Sequence, residues 1–357
     1  MVVLHNDYVP ILKWRMGEYQ ALMRLDKDEK NSVVPLIMIP PVEFDFEEKR
    51  PKKTVQEHIE PFGKRLKSKW DSRKIFIDIH DSLEAESMDN GESVLRFIFS
   101  ETKAKKCHGI PVVGFSRGDN YLDEVKQIIA ESNVGVMLRV GLTDLMTPTL
   151  NSNIDRILKR LAVEVSQVDL LIDLAEPDSF EPYNVFAKAL STRILTISSL
   201  DKFRSFIISG MSLKLAEFKK PGGQAIRHEW KLYKELVDML KLKRTPTYSD
   251  YTIESPKFTE MDMRMMKPAG KIVYSCNDIW YVVKGNAFRG NEEQMYGHCH
   301  TIINSGYYCG ERYSYGDKKI NDTNIQRNNT GNLGTWKQVG VNHHITMVVE
   351  QLSSFHV

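Results

Sequence analysis

A (β/α)8 TIM-like barrel, an α/β fold, is the architecture this chain predicts, and three observations carry it. Short apolar runs recur at residues 9–15, 33–39, 74–79, 110–115, 135–140, 169–174, 203–208 and 247–253. The segments between them have helical periodicity, so strand and helix alternate eight times. The runs are nearly continuous in apolar residues, as parallel strands buried on both faces must be, and the gaps are long enough for parallel crossovers. An open doubly wound sheet meets the same conditions, but eight units in about 250 residues is the size of a closed barrel.

The elements follow in order. Residues 17–25 form the helix after the first strand, and 54–70 the next, with Val55, Ile59, Phe62 and Leu66 at helical spacing. Helix 91–106 carries Val94, Leu95, Ile98 and Phe99, and helix 120–131 carries Leu122, Val125, Ile128 and Ile129. Helices are expected again over 151–165, 183–200 and 224–240, the last with Ile226, Trp230, Tyr233, Leu236 and Val237 on one stripe. Past the eighth strand, 270–285 reads as a β-hairpin, because two β-rich runs flank Asn277-Asp278, a pair tolerant of positive φ. Residues 294–303 are expected to be the eighth barrel helix, displaced by that hairpin, and 343–352 a closing helix. With no internal repeat and no linker, one elaborated domain is expected: barrel strands in 1–254, the hairpin insertion in 255–290, the eighth helix and a helical C-terminal extension in 291–357.

Composition narrows the function classes. At 41% hydrophobic and 27% charged, 357 residues supply a large globular core. Lys and Arg total 49 against 47 for Asp and Glu, whereas a dedicated nucleic-acid binder usually shows a pI above about 9. The basic stretches 64–73 and 241–244 fall on expected helix faces or a helix end, where a charge run is usually solvated. The N-terminal residues show neither a basic leader nor a long apolar stretch, and no run reaches the roughly 18 apolar residues of a membrane span. Cys107, Cys276, Cys299 and Cys309 lack CxxC pairing and zinc-ligand spacing, so reduced thiols in a cytoplasmic protein are expected and no metal site built from cysteines; a divalent cation at Asp78 or Asp173 would need Glu43, His80, Glu176 or Asp250 as further ligands, and no compact metal motif joins them.

Chemistry in such barrels sits at the carboxyl ends of the strands. Reading those ends gives Lys13, Arg15, Glu43, Asp78, His80, Ser116, Arg117, Arg139, Asp173, Glu176, Ser209, Asp250 and Glu254. Lys13 and Arg15 flank Trp14, so strand alternation would point both toward one phosphate or carboxylate. Alternatively, each pairs with Glu18, Glu43 or Asp78. Asp78 and Asp173 end apolar strands and are candidate general bases, with an internal salt-bridge ring through Arg117 and Arg139 as the competing arrangement. Ser209-Gly210 and Asp250 lie after or at the end of strands seven and eight, where barrels often hold phosphate. His343 is a further candidate base; His344 beside it diverges by about 100° on a helix, so the two are not expected to share a metal.

The run Tyr8-Val-Pro-Ile-Leu-Lys-Trp-Arg-Met-Gly-Glu-Tyr-Gln-Ala-Leu22, the strand Pro35-Leu-Ile-Met-Ile-Pro-Pro41, Ser249-Asp-Tyr-Thr-Ile253 and the terminal Trp336 with Val341-Asn-His-His-Ile345 resemble the beta protein family of temperate and satellite phages. The resemblance implies an accessory locus in which a killing factor, a small regulator and the beta protein act against competing phages. It implies that the beta component restrains or cooperates with the killer, and it carries no active site over to this chain. The alternative is a barrel enzyme or sensor acting on a phosphorylated small molecule or nucleotide. No cofactor and no oligomeric state follow from the sequence.

Overall fold

Eight parallel strands close on themselves in chain order, as the apolar runs predict. The computed structural model describes residues 2–241, 243–258, 267–326 and 329–355. The barrel strands are Tyr8–Leu12, Leu36–Ile39, Lys74–Ile79, His108–Val113, Val136–Gly141, Val168–Asp173, Ser205–Gly210 and Thr247–Asp250. Each pairs with the next, and the eighth returns to the first with Tyr8 opposite Tyr248 and Pro10 opposite Asp250. Burial on both faces is complete in the sixth strand, where every residue from Val168 to Asp173 is buried.

Helices Met16–Arg24, Val94–Ala104, Asp119–Ser132, Leu150–Leu161 and Tyr183–Ile194 lie where the apolar stripes place them. The helix expected over 54–70 is two, Val55–Ile59 and Phe62–Lys69. Pro61 separates them, having no N–H to continue the ladder. A short ribbon, Phe44–Asp45 against Arg50–Pro51, decorates the loop after the second strand.

Three corrections concern the region around the hairpin. Helix His228–Leu240 starts later than expected, because Gly222–Ile226 is a strand paired antiparallel with Ile279–Ala287. Gly222 sits at φ +113, and a Cβ there would lie 1.9 Å from the Val282 carbonyl oxygen, so the close approach requires glycine. The expected hairpin, Ala269–Ser275 and Ile279–Ala287, is therefore part of a three-stranded sheet.

Gln294–Ile303 forms as predicted but is not the eighth barrel helix. Its Met295, Cys299 and Ile302 join Ile272, Tyr274, Trp336 and Val339 in a second, smaller core over the added sheet. The eighth position belongs to the long helix Leu333–Phe355, which packs on Met16–Arg24 and on the hairpin. It sends Val341, Ile345, Val348 and Leu352 into the barrel core and Trp336 and Val339 into the second core. Every residue in 339–348 is buried, and at Gly340 an added Cβ would lie 2.9 Å from the Val273 carbonyl oxygen.

No helix among the described residues is long and apolar enough to cross a membrane. The four cysteines are free thiols.

Candidate functional site

The carboxyl ends of the strands converge on one mouth, and an arginine occupies its centre. Arg139, on the fifth strand, donates from Nη1 to Asp78 Oδ2 at 2.9 Å and from Nε and Nη2 to Asp173 Oδ2 at 2.9 and 2.6 Å. Its Nη2 also meets the Tyr251 hydroxyl at 2.7 Å, which itself donates to Asp173 Oδ2 at 2.6 Å. Asp78 is shared with Arg117, whose Nη2 lies 2.7 Å from Oδ1 and whose Nη1 reaches Asp81 and Glu84 at 3.0 Å. Burial works against the Arg139 charge, but Tyr251, Asp173 and Asp78 outweigh it and hold the guanidinium protonated well beyond its ordinary range. The arrangement is the internal ion-pair ring weighed from the sequence.

The strand ends are fixed by a repeated local device. Asp173 Oδ1 accepts from the Ala175 N–H at 2.9 Å, and Asp250 Oδ1 from the Thr252 N–H at 2.8 Å. Ala175 and Thr252 both take positive φ, +52 and +57, so each aspartate anchors a left-handed turn that ends its strand.

Lys13 and Arg15 do not form a joint clamp. Trp14 adopts φ +52 and breaks the strand alternation. Lys13 is left buried, its amine on the Lys257 carbonyl and 4.7 Å from the Phe258 ring centroid, with His80 against the same ring. Burial lowers the Lys13 pKa. Arg15 turns outward as the N-cap of Met16–Arg24, its backbone N–H donating to Glu18 at 2.9 Å. Glu43 is exposed and pairs with Lys52 at 3.0 Å. Ser209 is fully buried, its hydroxyl with no hydrogen-bond partner among the described residues, and Gly210 packs against the Phe180 ring. Glu176 accepts from Ser255 at 3.1 Å on the rim.

Asp250 and the two histidines lie outside the mouth. Tyr248 packs its ring on Trp230 and Tyr233, and Asp250, two residues on, shares that outward face. The Asp250 carboxylate accepts from the hydroxyls of Tyr8 and Tyr248 and meets His344 Nε2 at 2.9 Å. His344 is sandwiched against Trp280 at 4.9 Å, and Arg227 lies 5.3 Å from the same indole. His343 points the other way, into the second core. Its Nδ1 is 2.8 Å from Asp317 and its Nε2 2.9 Å from the Ser275 carbonyl, with the Tyr274 ring stacked at 3.8 Å.

No cluster of three His, Cys, Asp or Glu side chains is placed to hold a metal among the described residues. The family model described as "Beta protein" matches residues 8–350. This chain belongs to the beta protein family. No curated protein matches the beta protein chain. Solved structures similar to it include 3-dehydroquinate dehydratase from Enterococcus faecalis, at 10% identity over 70% of this chain and 90% of that one, TM-score 0.39. A GH18 chitinase from Pseudoalteromonas aurantia is 9% identical over 68% and 92%, TM-score 0.39. The catalytic domain of a Pyrococcus furiosus chitinase is 9% identical over 70% and 84%, TM-score 0.38.

Sequence reasoning missed part of this beta protein's polar interior. Tyr251 was visible only as one aromatic in an aromatic-rich strand end. Arg227 and Glu229, both buried, sit where an amphipathic helix was expected to begin. Glu229 lies 3.6 Å from Arg227 and accepts from the Ser212 hydroxyl. Burial nonetheless pushes its pKa up to about 7, against both partners. A carboxyl raised in the folded state leaves stability intact below the unfolded value and erodes it as pH rises toward about 7. Glu229→Gln should therefore exceed the parent by roughly 1–2 kcal/mol at pH 8, the gap closing toward pH 4.5. Urea midpoints across that range check this, and a gap independent of pH would refute it.

Proposed function

We propose that this beta protein is a binding and regulatory component that restrains or cooperates with a killing factor encoded beside it. Its setting is an accessory locus of a temperate or satellite phage, acting in the cytoplasm against competing phages. Membership of the family supports the setting. The observation that carries binding over catalysis is the saturation of the strand-end charges.

A general base needs a lone pair free to take a proton at the working pH. Asp78 instead holds two arginines, and Asp173 Oδ2 accepts from Arg139 and Tyr251 together. A phosphate at Arg117 or Arg139 would have to displace Asp78 or Asp173 from a buried pairing, leaving that carboxylate uncompensated. The mouth thus reads as a rigid structural plug, and an enzyme acting there on a phosphorylated substrate is the less supported reading.

Co-expression with the neighbouring killing gene provides the test. Killing should change at least tenfold in surviving cells when the beta protein is present, and the two proteins should co-purify. Unchanged killing together with no co-purification would reject the reading.

A further inference from the structure

The opposite face of the barrel differs from the mouth in one respect: the charged side chains that line its cleft are all basic. A cleft of ≈470 Å³ opens among the starts of the strands, lined by Lys30, Arg73, Lys74, His108 and Arg204. None of its lining residues is an Asp or Glu. One carboxylate, Asp169, is fully buried behind it and serves two cations, Arg204 at 2.6 Å and Lys74 at 3.6 Å. Neither Lys30 nor Arg73 forms an ion pair among the described residues. The Lys30 amine rests on the Met23 carbonyl at 2.8 Å, and Arg73 stands 5.9 Å from the Trp70 ring centroid. Burial, and then the charge of Arg73, hold the Lys30 pKa below its ordinary value, against the opposing pull of Glu29 and Asp26 beside it.

The cleft also has an apolar side. Val33, Val34, Ile110 and Val134 line it together with the cations. Its volume falls in the range of small-ligand sites, and the mix of apolar floor and convergent charge is the composition such sites share. A neighbouring hollow of ≈410 Å³ shares His108 and Val134 and adds Lys103, Lys106 and the Arg96–Glu131 ion pair.

We infer that this amino-terminal cleft binds a nucleotide, its phosphates held by Arg73 and Lys30, its base against the valine floor. Arg offers a planar fork and Lys a compact charge to phosphate oxygens. In barrels this face is remote from chemistry, so the site is assigned binding and no reaction. The inference does not depend on the killing-factor partnership.

Titration calorimetry on the full chain at low salt would use ATP, AMP, inorganic phosphate and a ten-nucleotide single strand. ATP is expected to bind at least tenfold more tightly than phosphate. The double variant Lys30→Ala/Arg73→Ala should weaken ATP binding at least tenfold, whereas Lys188→Ala, on a remote exposed helix face, leaves it unchanged. Protection of Lys30 from acetylation by bound ATP, read by mass spectrometry on the parent protein, gives a second measurement independent of any variant. ATP binding no tighter than phosphate, binding of the single strand alone, undiminished binding by the folded double variant, or Lys30 unprotected at saturating ATP would each overturn the assignment.

Discussion

Arg139→Met should cost the beta protein about 3–5 kcal/mol, because it leaves two buried carboxylates facing each other without the cation between them. Asp78 and Asp173 are 5% and 4% exposed, so water cannot replace what the guanidinium supplies. Arg117 still holds one side of Asp78, but among the described residues Asp173 keeps only Tyr251 and the Ala175 N–H. The loss should appear as a lower urea midpoint by far-UV circular dichroism. Adding Asp78→Asn and Asp173→Asn to Arg139→Met should recover most of it, since removing all the charges avoids stranding any of them. A cost below about 1 kcal/mol would mean that Arg139 is effectively solvated, and would reopen the mouth as an anion site.

This prediction rests on residues that were legible before the fold was known. Asp78, Arg139 and Asp173 are charges set inside apolar strands, and a buried charge must find a partner. Their convergence follows from closing eight such strands. What the sequence hid has equally physical causes. Arg15 was expected beside Lys13 because strand alternation was extended past Leu12, and nothing in the residue types announces the positive φ of Trp14. Gly222–Ile226 is a strand only because Ile279–Ala287, far along the chain, covers it, and its short length gives no alternation to read. The last helix was foreseen over less than half its length. Helices are recognised by one apolar stripe and one polar face, and 339–348 is buried on all sides between the barrel and the second core. The same double burial separates His343 from His344: adjacent positions on that helix face different cores, so neither reaches the mouth.

Asp250→Ala should be of the same order, about 3–5 kcal/mol, for a different reason. Its carboxylate is a single acceptor for the Tyr8 and Tyr248 hydroxyls, the Thr252 N–H and His344, joining the first strand, the eighth strand and the last helix. Truncation leaves four buried donors unpaired at the seam where the barrel closes. Hydrogen exchange should accordingly rise first in Leu333–Phe355 and in Tyr8–Leu12, ahead of the sixth strand; uniform exchange across the barrel would contradict this seam model. Acid should reveal the same contact. Burial alone would raise the Asp250 carboxyl, but His344, Arg227 and Tyr8 outweigh it and hold it below its ordinary value. A depressed carboxyl contributes stability above about pH 4 that is lost as pH falls through the folded value. Burial likewise keeps the His344 pKa below 6.5, so its contribution is full above that pH and begins to fall below it, as the unfolded chain takes up the proton first. Glu229 acts with the opposite sign between about 4.5 and 7, which flattens the parent's profile. Glu229→Gln should therefore uncover a decline in stability below about pH 6.5 that His344→Phe abolishes, and a flat profile in the Glu229→Gln protein would show that His344 does not titrate with folding.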